Sequence, residues 1–149
     1  MNDPLEAVQR RLLGDMSGFY SETTIDHAMR PRHVGSLPDA DGYASLQSGC
    51  GEVMQVWLRV LDGQIEEATF WTDGCAATIA AGSMATDLVQ GRTVAQALSL
   101  KAKEVADALD NLPPGNFHCA QLAADTVRAA ARDALEVQRD PWKKAYRKR

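Results

Sequence analysis

The sequence predicts an α+β domain in which a small three-stranded antiparallel sheet packs against a cluster of helices. Three observations lead to this prediction: apolar and polar residues alternate from Val53, Asp62-Gly63 is a hairpin turn signal, and the remaining chain shows helical spacing with helix caps. A short sheet followed by helices is typical of an α+β fold. At 149 residues the chain has the length of one domain.

The N-terminal part is predicted to be helical. Residues 2–13 carry four apolar side chains at helical spacing, ahead of a glycine, which indicates a short amphipathic helix. A second helix is predicted from Ser21, as its N-cap, to Met29, because Pro31 follows. Residues 33–43 are rich in Gly, Pro and Asp, and we expect a loop there.

The strands are predicted from period-two alternation. The central strand places Met54, Val56, Leu58 and Val60 on one face and Gln55, Trp57 and Arg59 on the other. After Asp62-Gly63 the return strand is expected to continue to about Trp71, with a preceding strand near residues 43–47 completing the sheet.

The helices that follow are predicted from their ends. A helix opens at Cys75 and ends at Gly91, a C-cap residue, and Thr93 starts another with the Thr-x-x-Gln spacing of a capping box. Residues 100–109 form a further helix that the Pro-Pro-Gly run at 113–115 would end. The last helix has an apolar stripe made of Leu122, Val127, Ala130 and Ala134.

Charge and hydropathy restrict the kind of protein. The net charge is −4, but the last nine residues carry +5, so the rest of the chain sums to −9. We interpret the basic tail as a solvated end, with contact to an acidic partner as the alternative, and the acidic body argues against nucleic acid. No apolar run reaches the roughly 20 residues that span a bilayer, and no secretory signal is recognisable, so a cytoplasmic location is expected.

The three cysteines, Cys50, Cys75 and Cys119, lie where predicted elements begin. An odd number at wide spacing does not indicate a disulfide framework. A helix N-terminus favours the thiolate, which binds metal or attacks sulfur, and flanking glycines let the backbone approach a bound group. The alternative is that all three are buried packing residues.

His118 precedes Cys119 and adds a fourth ligand type. A Cys₃His set suits tetrahedral Zn²⁺, and cysteine-rich sites also hold iron–sulfur clusters. Glu52 is either a surface carboxylate at the strand start or a rim residue of the site that ligates metal or accepts a proton. His27 and His33 have no thiol neighbour and are interpreted as surface or loop histidines. A Cys–His hydrolase is disfavoured because no third residue orients the pair.

Three segments of the chain resemble the iron–sulfur cluster assembly scaffold family, of the IscU type and the N-terminal domain of NifU. They are YSETTIDHAMRPRHVG, SGCGEVMQVWLRVLDGQIEEATFWTDGCAATIAAGSMATDLVQG and LPPGNFHCAQLAAD. The resemblance covers residues from about 20 to 135. Three cysteines in Cys-Gly-acid, Gly-Cys and His-Cys contexts, in that order, make it specific. It implies a scaffold domain at 20–138, flanked by an N-terminal helical extension at 1–19 and a basic tail at 139–149.

The resemblance also implies a function without catalytic turnover. A [2Fe–2S] cluster would be built on Cys50, Cys75, Cys119 and His118, with Glu52 in the place of the family's Asp near the metal, and then passed to apo-proteins. Zn²⁺ binds the same site in family members. The alternative is a zinc-stabilised sulfur-relay or interaction protein that uses the same Cys₃His site.

The partners implied are a cysteine desulfurase, which supplies persulfide sulfur to Cys119, together with apo iron–sulfur proteins, a frataxin-like protein and a ferredoxin. Residues 112–116 read LPPGN where the family has LPPVK, which argues against an Hsp70-type chaperone docking by that route. The interval between Cys75 and Cys119 has no room for the insertion of the SufU branch, which favours the IscU and NifU side.

Overall fold

The alternating segment and its hairpin form the sheet. The structure, a computed structural model that describes residues 20–146, contains three antiparallel strands in the order β1-β2-β3. Their bounds are Gly42–Gln47 for β1, Val53–Leu61 for β2 and Gln64–Thr72 for β3. Asp62 and Gly63 join β2 to β3 and have φ values of 53° and 78°. Positive φ at both residues is what a two-residue type I′ hairpin turn requires.

Five α-helices and two 3₁₀ helices are found in this part of the chain. The α-helices are α1 Glu22–Met29, α2 Ala76–Val89, α3 Val94–Ala97, α4 Ala102–Ala108 and α5 Phe117–Arg139, and the 3₁₀ helices are Pro114–Asn116 and Pro141–Tyr146. The predicted caps are confirmed: Ser21 accepts from the Thr24 amide, Thr93 forms a capping box with Gln96, and Gly91 follows α2 with a φ of 90°. None of these helices is long and apolar enough to cross a membrane.

One face of the sheet packs against α2 and α5. Met54, Val56 and Phe70 are almost completely buried there. The approach of α2 is close because Gly82 has no side chain: a Cβ at this position would lie 2.5 Å from the Phe70 ring. The predicted α+β architecture is therefore confirmed.

The opposite face of the sheet differs from the prediction. Trp57, expected on the exposed side, is only 6% exposed because it packs with Leu37, Ala40 and Tyr43 in a second small apolar cluster. Val60, expected in the core, is only half-buried, because the pairing of β2 with β3 is irregular between Arg59 and Val60.

The cause of one helix end and the state of the basic tail differ from the prediction. Helix α4 ends at Ala108, within one residue of the predicted end, because Asp110 and Asn111 adopt left-handed φ values of 58° and 73°, ahead of the prolines. In the basic tail, residues 141–146 are helical, and Lys144 Nζ lies 2.8 Å from Asp41 Oδ1, so this part is not simply solvated. The predicted N-terminal helix lies outside the described residues.

Candidate metal centre

The start of β2 and the start of α2 meet through the side chain of Glu52. Its Oε1 atom accepts a hydrogen bond from the Cys75 amide at 3.3 Å, and its Oε2 atom accepts one from the Thr78 hydroxyl at 3.0 Å. Cys75 is the N-cap residue of α2, so the carboxylate lies at the positive end of a helix dipole. Of the two interpretations of Glu52, the structure supports a residue within the site.

Helix α5 contributes a neighbouring histidine and thiol to the same place. His118 Nε2 lies 3.6 Å from Cys119 Sγ and 3.9 Å from Glu52 Oε2. Ligand atoms of Glu52, His118 and Cys119 all lie within 4.8 Å of one another, a separation that one metal ion can bridge. An imidazole, a thiolate and a carboxylate together suit Zn²⁺ or Fe²⁺.

Thr78 connects this trio to Cys75. Its Oγ1 atom lies 3.5 Å from Cys75 Sγ and 3.3 Å from Cys119 Sγ, and the residue is completely buried. The sequence reasoning missed Thr78, which looks like one more small residue of α2. The available signal was its position three residues after the N-cap, where a side chain reaches back toward the helix start.

Cys119 contradicts the expectation that its position at a helix start favours the thiolate. It is completely buried in the main apolar core. Burial raises its pKa to about 11, and the nearby Cys75 and Glu52 charges act in the same direction, while hydrogen bonds from Thr78 and Asn116 oppose the rise. Desolvation therefore outweighs the helix start, and the metal-free site holds Cys119 as a thiol.

Cys50 lies apart from the gathered ligands. It is exposed on the loop between β1 and β2, where its amide donates to Ser48 Oγ at 3.3 Å. The next residue in this loop has a φ of 90°, a backbone conformation that favours glycine, and it is Gly51. The structure thus brings ligand atoms of Glu52, His118 and Cys119 together and links Cys75 to them through Glu52 and Thr78, whereas Cys50 has no such link among the described contacts.

Tyr20 and Asn116 line the site and were not predicted from the sequence. The Tyr20 hydroxyl donates to Asn116 Oδ1 at 3.3 Å. Burial raises the pKa of Tyr20, and the charges of Cys75 and Cys119 add to that effect, so the phenol lies near both thiols. Nothing in the sequence alone pairs residues so far apart in the chain.

The other two histidines take different positions. His33 is a loop residue as predicted, with Nε2 at 3.1 Å from Asp87 Oδ1. The expectation for His27 is wrong: it lies within α1, is only 6% exposed, and its Nδ1 atom lies 2.7 Å from Ser83 Oγ in α2. Burial lowers the pKa of His27. The pair joins α1 to α2 and has no part in the metal centre.

The chain is similar to known proteins over most of its length. The profile of the NifU-like N-terminal domain family matches residues 19–139. The iron–sulfur cluster assembly scaffold protein IscU 1 of Archaeoglobus fulgidus is 44% identical over 116 residues, which cover 77% of this chain and 76% of that protein. The scaffold protein IscU of Escherichia coli K12 is 40% identical over 121 residues, covering 76% and 92%.

Among solved structures, the N-terminal part of a nitrogen-fixing NifU-like protein from Brucella abortus superposes with a TM-score of 0.63. It is 20% identical and covers 81% of this chain and 97% of that one. This likeness shows the fold.

Proposed function

The chain belongs to the NifU-like N-terminal domain family, and from that premise we propose that it is a scaffold on which an iron–sulfur cluster is assembled and then passed to acceptor proteins. The observation that carries the proposal is the convergence of Glu52, Cys75, His118 and Cys119 where the starts of β2, α2 and α5 meet. Relatives at 44% and 40% identity carry the name of such a scaffold. The protein is accordingly a carrier and has no turnover of its own.

The cluster is the cargo of the protein, and we propose a [2Fe–2S] cluster held by Cys50, Cys75, Cys119 and His118, with Glu52 near the iron. His118 and Cys119 supply ligands from α5, and Cys75 supplies one from the start of α2. Cys50, on an exposed loop, completes the set when that loop closes over the bound iron. Ligands on a loop and on helix starts suit a cluster that must leave again.

Sulfur would arrive as a persulfide from a cysteine desulfurase. The Cys119 thiolate attacks the outer sulfur of the desulfurase persulfide, the bond between the two sulfurs of that persulfide breaks, and the desulfurase cysteine leaves as a thiolate. Because Cys119 is buried, the first turn of α5 must open for this attack. An open groove of about 660 Å³, lined by Leu46, Phe117 and His118, lies beside the site, where a partner can dock.

The other proposed partners are apo iron–sulfur proteins, a frataxin-like protein and a ferredoxin. Docking of an Hsp70-type chaperone at residues 112–116 is disfavoured by local contacts as well as by the LPPGN sequence. Asn116 stands where the family has Lys, and its side chain accepts a hydrogen bond from Tyr20. It is thus engaged within the site instead of presenting a charge to a partner.

One observation favours a second candidate function, a zinc-stabilised sulfur-relay or interaction protein. Glu52, His118 and Cys119 already lie within range of a single metal ion, with Cys75 beside them, while Cys50 is outside the group. The predicted zinc alternative uses the Cys₃His site, and here we propose instead that Glu52 takes the place of Cys50, which also gives the four ligands of tetrahedral Zn²⁺.

Anaerobic reconstitution with Fe²⁺, a cysteine desulfurase, cysteine and a thiol reductant that converts persulfide sulfur to sulfide distinguishes the two functions. The scaffold should develop the visible absorption of a [2Fe–2S] cluster, with two sulfides per cluster, and should transfer it to an apo-ferredoxin. The Cys50→Ala variant should lose the cluster and, under the zinc alternative, keep Zn²⁺. A protein that retains Zn²⁺ and develops no cluster absorption would contradict the scaffold proposal.

A further inference from the structure

Thr78 lies at the centre of the metal centre although it belongs to no ligand type expected there. Its hydroxyl oxygen is 3.0 Å from Glu52 Oε2, 3.3 Å from Cys119 Sγ and 3.5 Å from Cys75 Sγ. The residue is completely buried, so water does not compete for these contacts. Buried hydroxyls are normally hydrogen-bonded, and this one is held between residues that precede β2, begin α2 and lie in the first turn of α5. The packing of these elements therefore fixes its position.

The hydroxyl has one proton and three acceptors within reach. The hydroxyl is the donor toward both Glu52 Oε2 and Cys119 Sγ, so its single proton is divided between the carboxylate and this sulfur, while either atom can be the donor in the contact with Cys75 Sγ. A sulfur that binds metal carries no proton and becomes an acceptor for nearby donors. Thr78 is then a buried side-chain donor 3.3 Å from Cys119 Sγ.

The backbone ahead of α2 is shaped around this side chain. A Cβ on Gly74 would lie 2.7 Å from Thr78 Cβ and Cγ2, and 2.8 Å from its hydroxyl oxygen. Thr78 fills the space that a side chain at position 74 would occupy. This contact is independent of the hydrogen bonds and locates Thr78 against the loop that carries Cys75.

We propose that Thr78 is a positioning residue of the cluster site: it holds the Glu52 carboxylate against the start of α2 and hydrogen-bonds the Cys119 sulfur when that sulfur ligates metal. Donation to the metal-bound sulfur stabilises its thiolate form and so strengthens metal binding, while the Cys75 amide still holds Glu52 at the start of α2. The proposal rests on the proposed scaffold function, because it concerns the same site. It also accounts for Glu52, whose side chain is one methylene longer than Asp and is held at both oxygens.

The test is binding of Co²⁺, a spectroscopic substitute for Zn²⁺ and Fe²⁺, to the full chain. Thr78→Val removes the hydroxyl at nearly constant volume, and Thr78→Ser retains it. Loss of a group that orients metal ligands typically weakens metal affinity by about 10- to 100-fold. We expect that loss in Thr78→Val, together with a shift of the sulfur-to-cobalt charge-transfer band to lower energy, and recovery of both in Thr78→Ser.

Thr86→Val is the matched control. Thr86 is also buried in α2, but its hydroxyl contacts only the carbonyl oxygens of Gly82 and Ser83. This variant should lose stability without any shift of the cobalt band. Thermal unfolding followed by circular dichroism checks folding, and Thr78→Ala replaces the valine variant in the same comparison if valine prevents folding.

The outcomes separate the two proposals. Wild-type affinity and an unchanged band in a folded Thr78→Val protein would overturn the role of Thr78 while leaving the scaffold proposal in place. A wild-type protein that binds no Co²⁺ would instead overturn the metal centre itself. A band shift in Thr86→Val equal to that in Thr78→Val would show that only general destabilisation had been measured, which also overturns the role of Thr78.

Discussion

The burial of Cys119 predicts that the three cysteines differ strongly in their reaction with alkylating reagents. Metal-free protein treated with iodoacetamide should be modified first at Cys50 and Cys75, which are exposed, and last at Cys119, which is completely buried. The thiolate is the reactive form, so the pKa and the accessibility of each sulfur both control the rate.

The size of the difference follows from the pKa. At about pH 8 a thiol with the ordinary pKa of 9.0 is about 10% thiolate, whereas Cys119, with a pKa of about 11, is about 0.1% thiolate. This effect alone slows Cys119 about 100-fold relative to an unperturbed thiol. The absence of accessible surface slows it further, because the reagent must wait for α5 to open.

Mass spectrometry of proteolytic peptides, taken over a time course, gives the rate for each cysteine. The same measurement in concentrated guanidinium chloride is the control, since all three rates should become similar once the chain is unfolded. A native Cys119 that reacts within tenfold of Cys50 would refute the argument from burial. Faster labelling of Cys119 when a desulfurase is added would identify the partner that opens this segment.

Three further predictions concern pH, packing and metal. Burial lowers the pKa of His27 below its usual 6.5, so the unfolded chain binds more protons than the folded one below about pH 6.5. The free energy of unfolding should therefore decrease as the pH falls below that value, by at most about 1.4 kcal/mol per pH unit. Urea unfolding of His27→Gln should show a weaker dependence of this free energy on pH, and an unchanged dependence would contradict the prediction. Gly82→Ala, whose Cβ would contact the Phe70 ring, should lower the free energy of unfolding by about 1–3 kcal/mol in denaturant titrations. Gly115→Ala, whose Cβ would have no atom within 4 Å, should leave it unchanged. Equal losses in the two variants would exclude the packing explanation. Cys75→Ala should release Zn²⁺ in metal analysis after dialysis, and wild-type stoichiometry would remove Cys75 from the ligand set.

The parts of the fold that depend on neighbouring residues could be predicted from the sequence. The Asp62-Gly63 turn, the Thr93 capping box and the Gly91 helix end are each set by a few adjacent residues, and all were confirmed. The end of α4 lies within one residue of its predicted position, but Asp110-Asn111, which can adopt left-handed φ with little cost, set it there and the prolines do not.

One error at the site concerns a local helical pattern, and the others concern contacts between distant residues. Cys119 continues the apolar stripe of α5, three residues before Leu122 and four before Ala123, so its burial could have been read from that spacing. For His27 the decisive partner, Ser83, lies on another helix. No local rule indicates that pairing or the contact between Tyr20 and Asn116, since both depend on how α1 packs against the rest of the domain.

The centre joins residues from β2, α2 and α5 and therefore has an order of formation. Synthesis proceeds from the N-terminus, so Cys50 and Cys75 leave the ribosome well before His118 and Cys119. The β2–β3 hairpin needs only adjacent residues to form, whereas the contact of Glu52 with α5 closes a long loop. A nascent chain that ends before α5 can expose two thiols but lacks the rest of the ligand set, so loading with metal is delayed until α5 has been synthesised.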